Sequence, residues 1–142
     1  MKPASRMHVV QEKSLRWLKK WERLINATDF AGARPLFSEQ VVSFGTFAEI
    51  LNGLDELESE QWRVIWPTIA DFTFQEPKIF CFDDASGIAG IIALWRSKCR
   101  RKDGGWYLRK GRATLILKQE RGELRCIHSH LSMEPGIPPL AD

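Results

Sequence analysis

The chain has 142 residues, 44% of them hydrophobic and 27% charged, with a formal net charge of +3. That length is one domain with enough apolar material for a real core. No apolar run approaches 18 residues, so no membrane-spanning helix is expected, and the charge alone is too small to point to nucleic acid. The opening stretch "MKPASRMHVV" lacks the apolar segment of a secretory leader. Cys81, Cys99 and Cys126 are scattered and form no C-x-x-C pair, which reads as free thiols in a reducing cytoplasm. Six tryptophans and eight phenylalanines are a heavy aromatic load for this length. Such side chains fill cores, line pockets and build interfaces.

Residues 5–28 read as an amphipathic helix. Val10, Ser14, Trp17, Trp21, Leu24 and Ile25 recur at three- and four-residue steps, with Lys13, Arg16, Lys19, Lys20 and Glu22 mostly elsewhere on the wheel. Thr28 or Asp29 then caps a short second helix, which Pro35 and Ser38 bound. "QVVSFG" at 40–45 reads as a short strand ended by Gly45. Asn52-Gly53 turns into a third helix carrying Leu54, Leu57, Trp62, Ile65 and Trp66, which Pro67 stops. The remainder reads as strands: "FTFQ" and "KIFCF" around Glu76-Pro77, the long apolar stretch 87–99, a hairpin turn in 101–105, a returning strand, a turn at "ERGE", and "LRCIHSHLSM" last. "EPGIPPLAD" is a Pro-rich tail with no core pattern. The order is helix, helix, strand, helix, then four or five antiparallel strands, an α+β arrangement.

That order, with "INATDFAGARPLFSEQVVSFG" and the closing "GRATLILKQERGELRCIHSHLS", resembles the SnoaL-like branch of the nuclear transport factor 2-like superfamily. Ketosteroid isomerases and the association domain of calmodulin-dependent kinase II look like relatives. The resemblance covers residues 5–133, and its most specific part is the last strand, ending His-x-His-x-Ser. The family commonly has Trp where this chain has Leu124. The resemblance implies a single domain over 1–142 with its core at 5–133. In it a curved, mainly antiparallel but mixed sheet wraps the N-terminal helices into a cone with an internal cavity. It also implies a homodimer through the sheet. Family members isomerise, cyclise, hydrolyse or dehydrate small molecules, or only bind or assemble, so the fold does not settle the function.

His128 and His130 stand two apart, so on a regular strand they share a face with Leu124, Cys126 and Ser132, while Ile127, Ser129 and Leu131 face the other way. Three roles compete for them. As metal ligands they lack a third partner, His8 being the only other histidine. As acid–base groups they titrate near neutrality. As ordinary strand residues they hydrogen-bond within the sheet or across a dimer seam. No metal and no cofactor is expected. Alignment of the last strands with the kinase association domain implies that Ile92, Leu115 and Leu131 line the cavity, and that the histidines face outward. Trp62 and Trp66 share a helix face. With Phe44 they form either an aromatic clamp on an apolar ligand or plain core. Trp95 is counted with these ligand-binding positions. Arg112 is placed at a pocket rim, where it meets an anionic group.

No paired carboxylate presents itself. Asp29, Asp71, Asp83 and Asp84 sit at element ends, the sole tyrosine, Tyr107, sits beside a turn, and the ketosteroid isomerase set of residues is missing. The basic hairpin 95–112 carries Arg96, Lys98, Arg100, Arg101, Lys102, Arg109, Lys110 and Arg112 with Trp106 and Tyr107 between, and reads chiefly as a solvated edge. Two function classes follow. One is binding of a small, largely apolar molecule in the cavity, with any proton transfer by His128 or His130. The other is a non-catalytic dimeric interaction module whose basic hairpin takes an anionic partner.

Overall fold

The computed structural model describes residues 3–83, 85–136 and 138–140; the side chains of residues 3–8, His8 among them, and all of Asp84 lie outside that set. Helix α1 (Pro3–Asn26) buries Ser14, Trp17, Leu18, Trp21, Leu24 and Ile25, the stripe that its spacing demands. Asp29 starts the next turn, its Oδ1 accepting the Gly32 N–H at 2.8 Å. Helix α2 (Phe30–Ala33) passes into a 3-10 turn (Arg34–Leu36) around Pro35. Strand β1 (Phe37–Phe44) begins three residues before the expected 40, because the 3-10 turn delivers Phe37 straight into the core. Strand β2 (Ile50–Asn52) was not expected; it is three residues long and folds back on β1, with Phe44 opposite Ile50 and Val42 opposite Asn52.

The third helical segment is composite. Helix α3 (Leu54–Leu57) widens into a π-helical turn (Glu58–Trp62), continues as α4 (Arg63–Ile65) and ends in a 3-10 turn (Trp66–Thr68) at Pro67. Four long strands follow: β3 (Ile69–Asp83), β4 (Ile88–Arg100), β5 (Trp106–Glu120) and β6 (Glu123–Met133). "FTFQ" and "KIFCF" belong to one edge strand. Glu76, at φ 51°, and Pro77 form a bulge between the pairings Gln75–Leu94 and Lys78–Ile92. An edge tolerates the missing proline N–H. Arg121 and Gly122, both at positive φ (53° and 83°), make the tight β5–β6 turn.

The sheet runs β2-β1-β6-β5-β4-β3, with β1 parallel to β6 and every other pair antiparallel. It is curved and unclosed, and α1 lies in its concave side. Trp21 meets Phe37 edge-on at 5.1 Å and Phe74 at 5.7 Å. Helix α1 also ties down the edge strand. Asn26 donates to Phe72 O and accepts from Phe72 N, both at 2.8 Å, and Glu22 accepts the Phe74 N–H at 2.8 Å. None of the described helices is long and apolar enough to cross a membrane.

Pleat alternation divides the strands. Toward the helices point Ile91, Ala93, Trp95, Ser97 and Cys99 from β4, and Arg109, Gly111, Ala113, Leu115 and Leu117 from β5. Outward point Ile92, Leu94, Arg96, Lys98, Lys110 and Arg112. On β6 the alternation breaks. Leu117 pairs with Cys126 while Ile116 pairs with His128, so Ile127 is an extra residue. Cys126 is therefore core while His128 faces out, and the face expected to hold both does not exist.

Candidate functional site

The wide end of the cone holds a cavity of about 40 Å³. Its walls are Trp21 and Ile25 of α1; Leu57, Trp62, Ile65 and Trp66 of the third helical segment; and Ile69, Phe72, Trp95 and Leu131 of the sheet. The four-residue spacing of Trp62 and Trp66 stacks their rings at 4.7 Å, and Phe30 extends the stack at 5.4 Å with the Arg63 guanidinium 4.4 Å above it. Opposite, Trp95 stacks on Phe72 at 5.6 Å. A Cβ at Gly111 would overlap the Trp95 indole and the Ser132 carbonyl oxygen, so the missing side chain at 111 is what lets this ring lie flat on β5.

A few polar groups enter this apolar space. Gln61 holds the loop 45–49 over the mouth. Its Oε1 accepts the N–H groups of Phe47 and Ala48, each at 3.2 Å, and its Nε2 donates to Thr46 Oγ1 at 3.0 Å. A Cβ at Gly45 would collide with the Gln61 amide, so glycine there lets the latch close. Ser129 and Ser43 share a hydrogen bond of 2.7 Å across the parallel pair. Arg109 reaches the cavity from β5. No aspartate, glutamate or histidine lines it among the described residues.

The residues expected from sequence fall into two groups. Trp62, Trp66, Trp95 and Leu131 meet at the cavity. Phe44 touches its rim, but its ring lies against His130 (4.9 Å) and His128 (6.2 Å). Leu115 has the inward parity but is fully buried behind the wall. Ile92, Arg112 and His130 sit on the other side of the sheet, in an open groove of about 340 Å³ that also holds Glu76, Thr114 and Ser132. Ile92 and Leu115 are an odd number of positions apart through the register, Ile92 facing Thr114, so they cannot share a side. His128 is also outside, its Nδ1 2.7 Å from the Val42 carbonyl oxygen. Neither histidine reaches the cavity, and among the described residues no three His, Cys, Asp or Glu side chains gather as a metal site.

Sequence reading missed Trp21, Gln61, Phe72, Ser129 and Arg109 as cavity residues. For Arg109 a signal existed: counting back by twos from Leu115 passes Ala113 and Gly111 and arrives at Arg109, never at Arg112. The basic hairpin otherwise lies in solvent, with Arg100 over Trp106 (4.7 Å) and Arg101 over Tyr107 (5.2 Å). On the third helical segment, Glu58 accepts from Arg34 at 2.8 Å and Arg63 at 2.7 Å, and Arg34 also reaches Asp55 at 2.8 Å. The Arg34 hydrogen bond, with Arg63, holds the Glu58 carboxyl below the usual carboxylate range. Burial pushes the Cys126 thiol up, so it stays protonated and inert.

A cone of this topology is the nuclear transport factor 2-like fold. Similar solved structures include a nuclear transport factor 2-like superfamily protein from Salmonella enterica (TM-score 0.79, 16% identity, 94% of this chain and 96% of that one). A ketosteroid isomerase-like protein from Erwinia carotovora is also similar (0.73, 15%, 85% and 93%). So is the association domain of C. elegans calcium/calmodulin-dependent protein kinase II (0.68, 14%, 86% and 94%). At these identities the likeness is one of fold. The SnoaL-like domain model matches residues 15–135, and the chain belongs to that family. No curated protein matches the sequence significantly.

Proposed function

We infer that the protein binds a small, largely apolar molecule at the wide end of its cone, without proton-transfer chemistry in the cavity. The observation that carries this is the wall itself: four tryptophans and Phe72 around a space with few polar groups and, among the described residues, no aspartate, glutamate or histidine. At about 40 Å³ the resting space suits little more than a water or two. A ligand therefore enters by lifting the loop 45–49, whose attachment to the third helical segment runs through the Gln61 side chain. The four wall tryptophans report the event. Neutral probes such as indole and benzyl alcohol should change wild-type tryptophan emission and raise the melting temperature. Leu131→Trp, which fills the space, should abolish both responses. A wild-type protein silent to the whole series would sink the reading.

A second reading concerns the outer face. Its middle row runs Ile92, Thr114, His130, Phe44 across four strands, and Ile92 and Phe44 are each 43% exposed. With Val42 and Leu94, also exposed, this is an apolar patch on an otherwise basic sheet. A second copy of the chain is the occupant that fits it, since a two-fold axis places the same apolar row against itself and buries the histidines at the seam. Sedimentation equilibrium should give a dimer, and Ile92→Asp a monomer. A wild-type monomer at tens of micromolar overturns this reading and leaves the cavity untouched.

A further inference from the structure

We propose that the ligand of the cavity is an organic carboxylate, held at its charged end by Arg109. This rests on the binding reading above and adds the charge of the ligand. Arg109 is 8% exposed, inside the cone, where a guanidinium with five N–H donors remains charged. Among the described residues it meets no carboxylate. Its neighbours are the face of Trp95, 5.5 Å from ring centre to guanidinium carbon, and the Met133 thioether, 3.4 Å from Nη2 and a weak acceptor. A buried charge without a counter-ion is costly, and proteins normally answer it with a partner.

Two further buried donors have no partner among the described residues. Ser97 stands directly opposite Arg109 in the β4–β5 register, fully buried, and its hydroxyl has no hydrogen-bond partner. Trp21 lines the same cavity, and its indole N–H has no acceptor. An isolated orphan donor is a packing defect; a buried cation and an orphan indole N–H on the lining of one cavity, with an orphan hydroxyl on the residue paired with that cation, complement an anion. The chemistry favours a carboxylate over a phosphate dianion. One guanidinium matches one carboxylate fork and one charge, and the remaining wall is aromatic. The ligand is thus an acid with an aliphatic or aromatic body that slides between Trp62, Trp66 and Trp95.

The test uses the full chain at neutral pH. Butyrate and benzoate are titrated, each against its own primary amide, with tryptophan emission and melting temperature as readouts. A charge-assisted contact predicts that the acids bind wild type at least about tenfold more tightly than the amides. Arg109→Met should erase that preference while keeping amide binding, and Ser97→Ala should narrow it. Amides that bind wild type as well as the acids, or a preference that survives Arg109→Met, overturn the carboxylate and leave the apolar pocket standing. If neither acids, amides nor neutral probes bind wild type, both proposals fall. Should Arg109→Met not fold, the acid-over-amide ratio of wild type decides alone.

Discussion

Arg109 and Arg112 lie three residues apart on one strand and inhabit different worlds. Arg112 is exposed on the outer face, in an open groove beside Glu76, where water compensates its charge. Arg109 is sealed inside, against an indole and a thioether. The same contrast runs along the whole of β4 and β5: indole, methyl and small hydroxyl groups inward, and Arg96, Lys98, Arg100, Lys110 and Arg112 outward. What separates the two arginines is one pleat, so residue type says little about chemistry on a strand until the covered side is known.

Substitutions on the two faces should therefore differ sharply in cost. Trp62, 2% exposed and stacked on Trp66, is the extreme inner case. Trp62→Ala should lose about 3–5 kcal/mol in chemical denaturation. A smaller loss would mean that the wall collapses and that the cavity is not rigid. Gly111→Ala comes next. The added methyl meets the Trp95 ring and a backbone carbonyl, so about 1–3 kcal/mol is expected, together with blue-shifted or quenched Trp95 emission.

At the Arg34–Glu58–Arg63 ion pairs the effect is smaller and depends on pH. Glu58 is held ionised by Arg34 and Arg63, both partly exposed, so Glu58→Gln should cost about 1 kcal/mol at neutral pH. The folded-state pKa is lowered, so this contribution is fully present above the unfolded value. It fades as pH falls through about 4.3 toward the folded pKa. Unfolding free energies of wild type and variant should converge below that point. A gap that persists at lower pH would mean that the amide disturbs packing rather than charge. Least of all, Ile92→Asp on the outer face should change monomer stability by under about 0.5 kcal/mol while altering self-association. A large loss there would erase the distinction between the faces. Thiol labelling offers a further check: exposed Cys81 should react with a disulfide reagent while Cys99 and Cys126 stay silent in the native protein.

Much of this organisation was legible along the chain. The stripe Trp17, Trp21, Leu24, Ile25 announces the helix, Asp29 its successor's cap, Pro67 the third helix's end and Asp103-Gly104 the hairpin, because each acts through its own backbone or its near neighbours. Strand β2 was not legible. Three residues are too few for a period, and Ile50–Asn52 become a strand only because β1 lies alongside. The extra residue at Ile127 was hidden for a similar reason, since a bulge exists only relative to a partner strand.

Alternation could tell which side chains travel together on β4 and β5, but not which group would be covered. That was decided by contacts between distant segments: α1 laid across β3 through Asn26 and Glu22, and β1 inserted parallel to β6. Those pairings sent His128, His130 and Arg112 to the outside and drew Arg109 in. They also drew the third helical segment's tryptophans close enough to leave a space of only about 40 Å³. A local pattern carries the shape of each element; its environment is the sum of surfaces contributed from elsewhere, and that sum exists only once the chain has closed on itself.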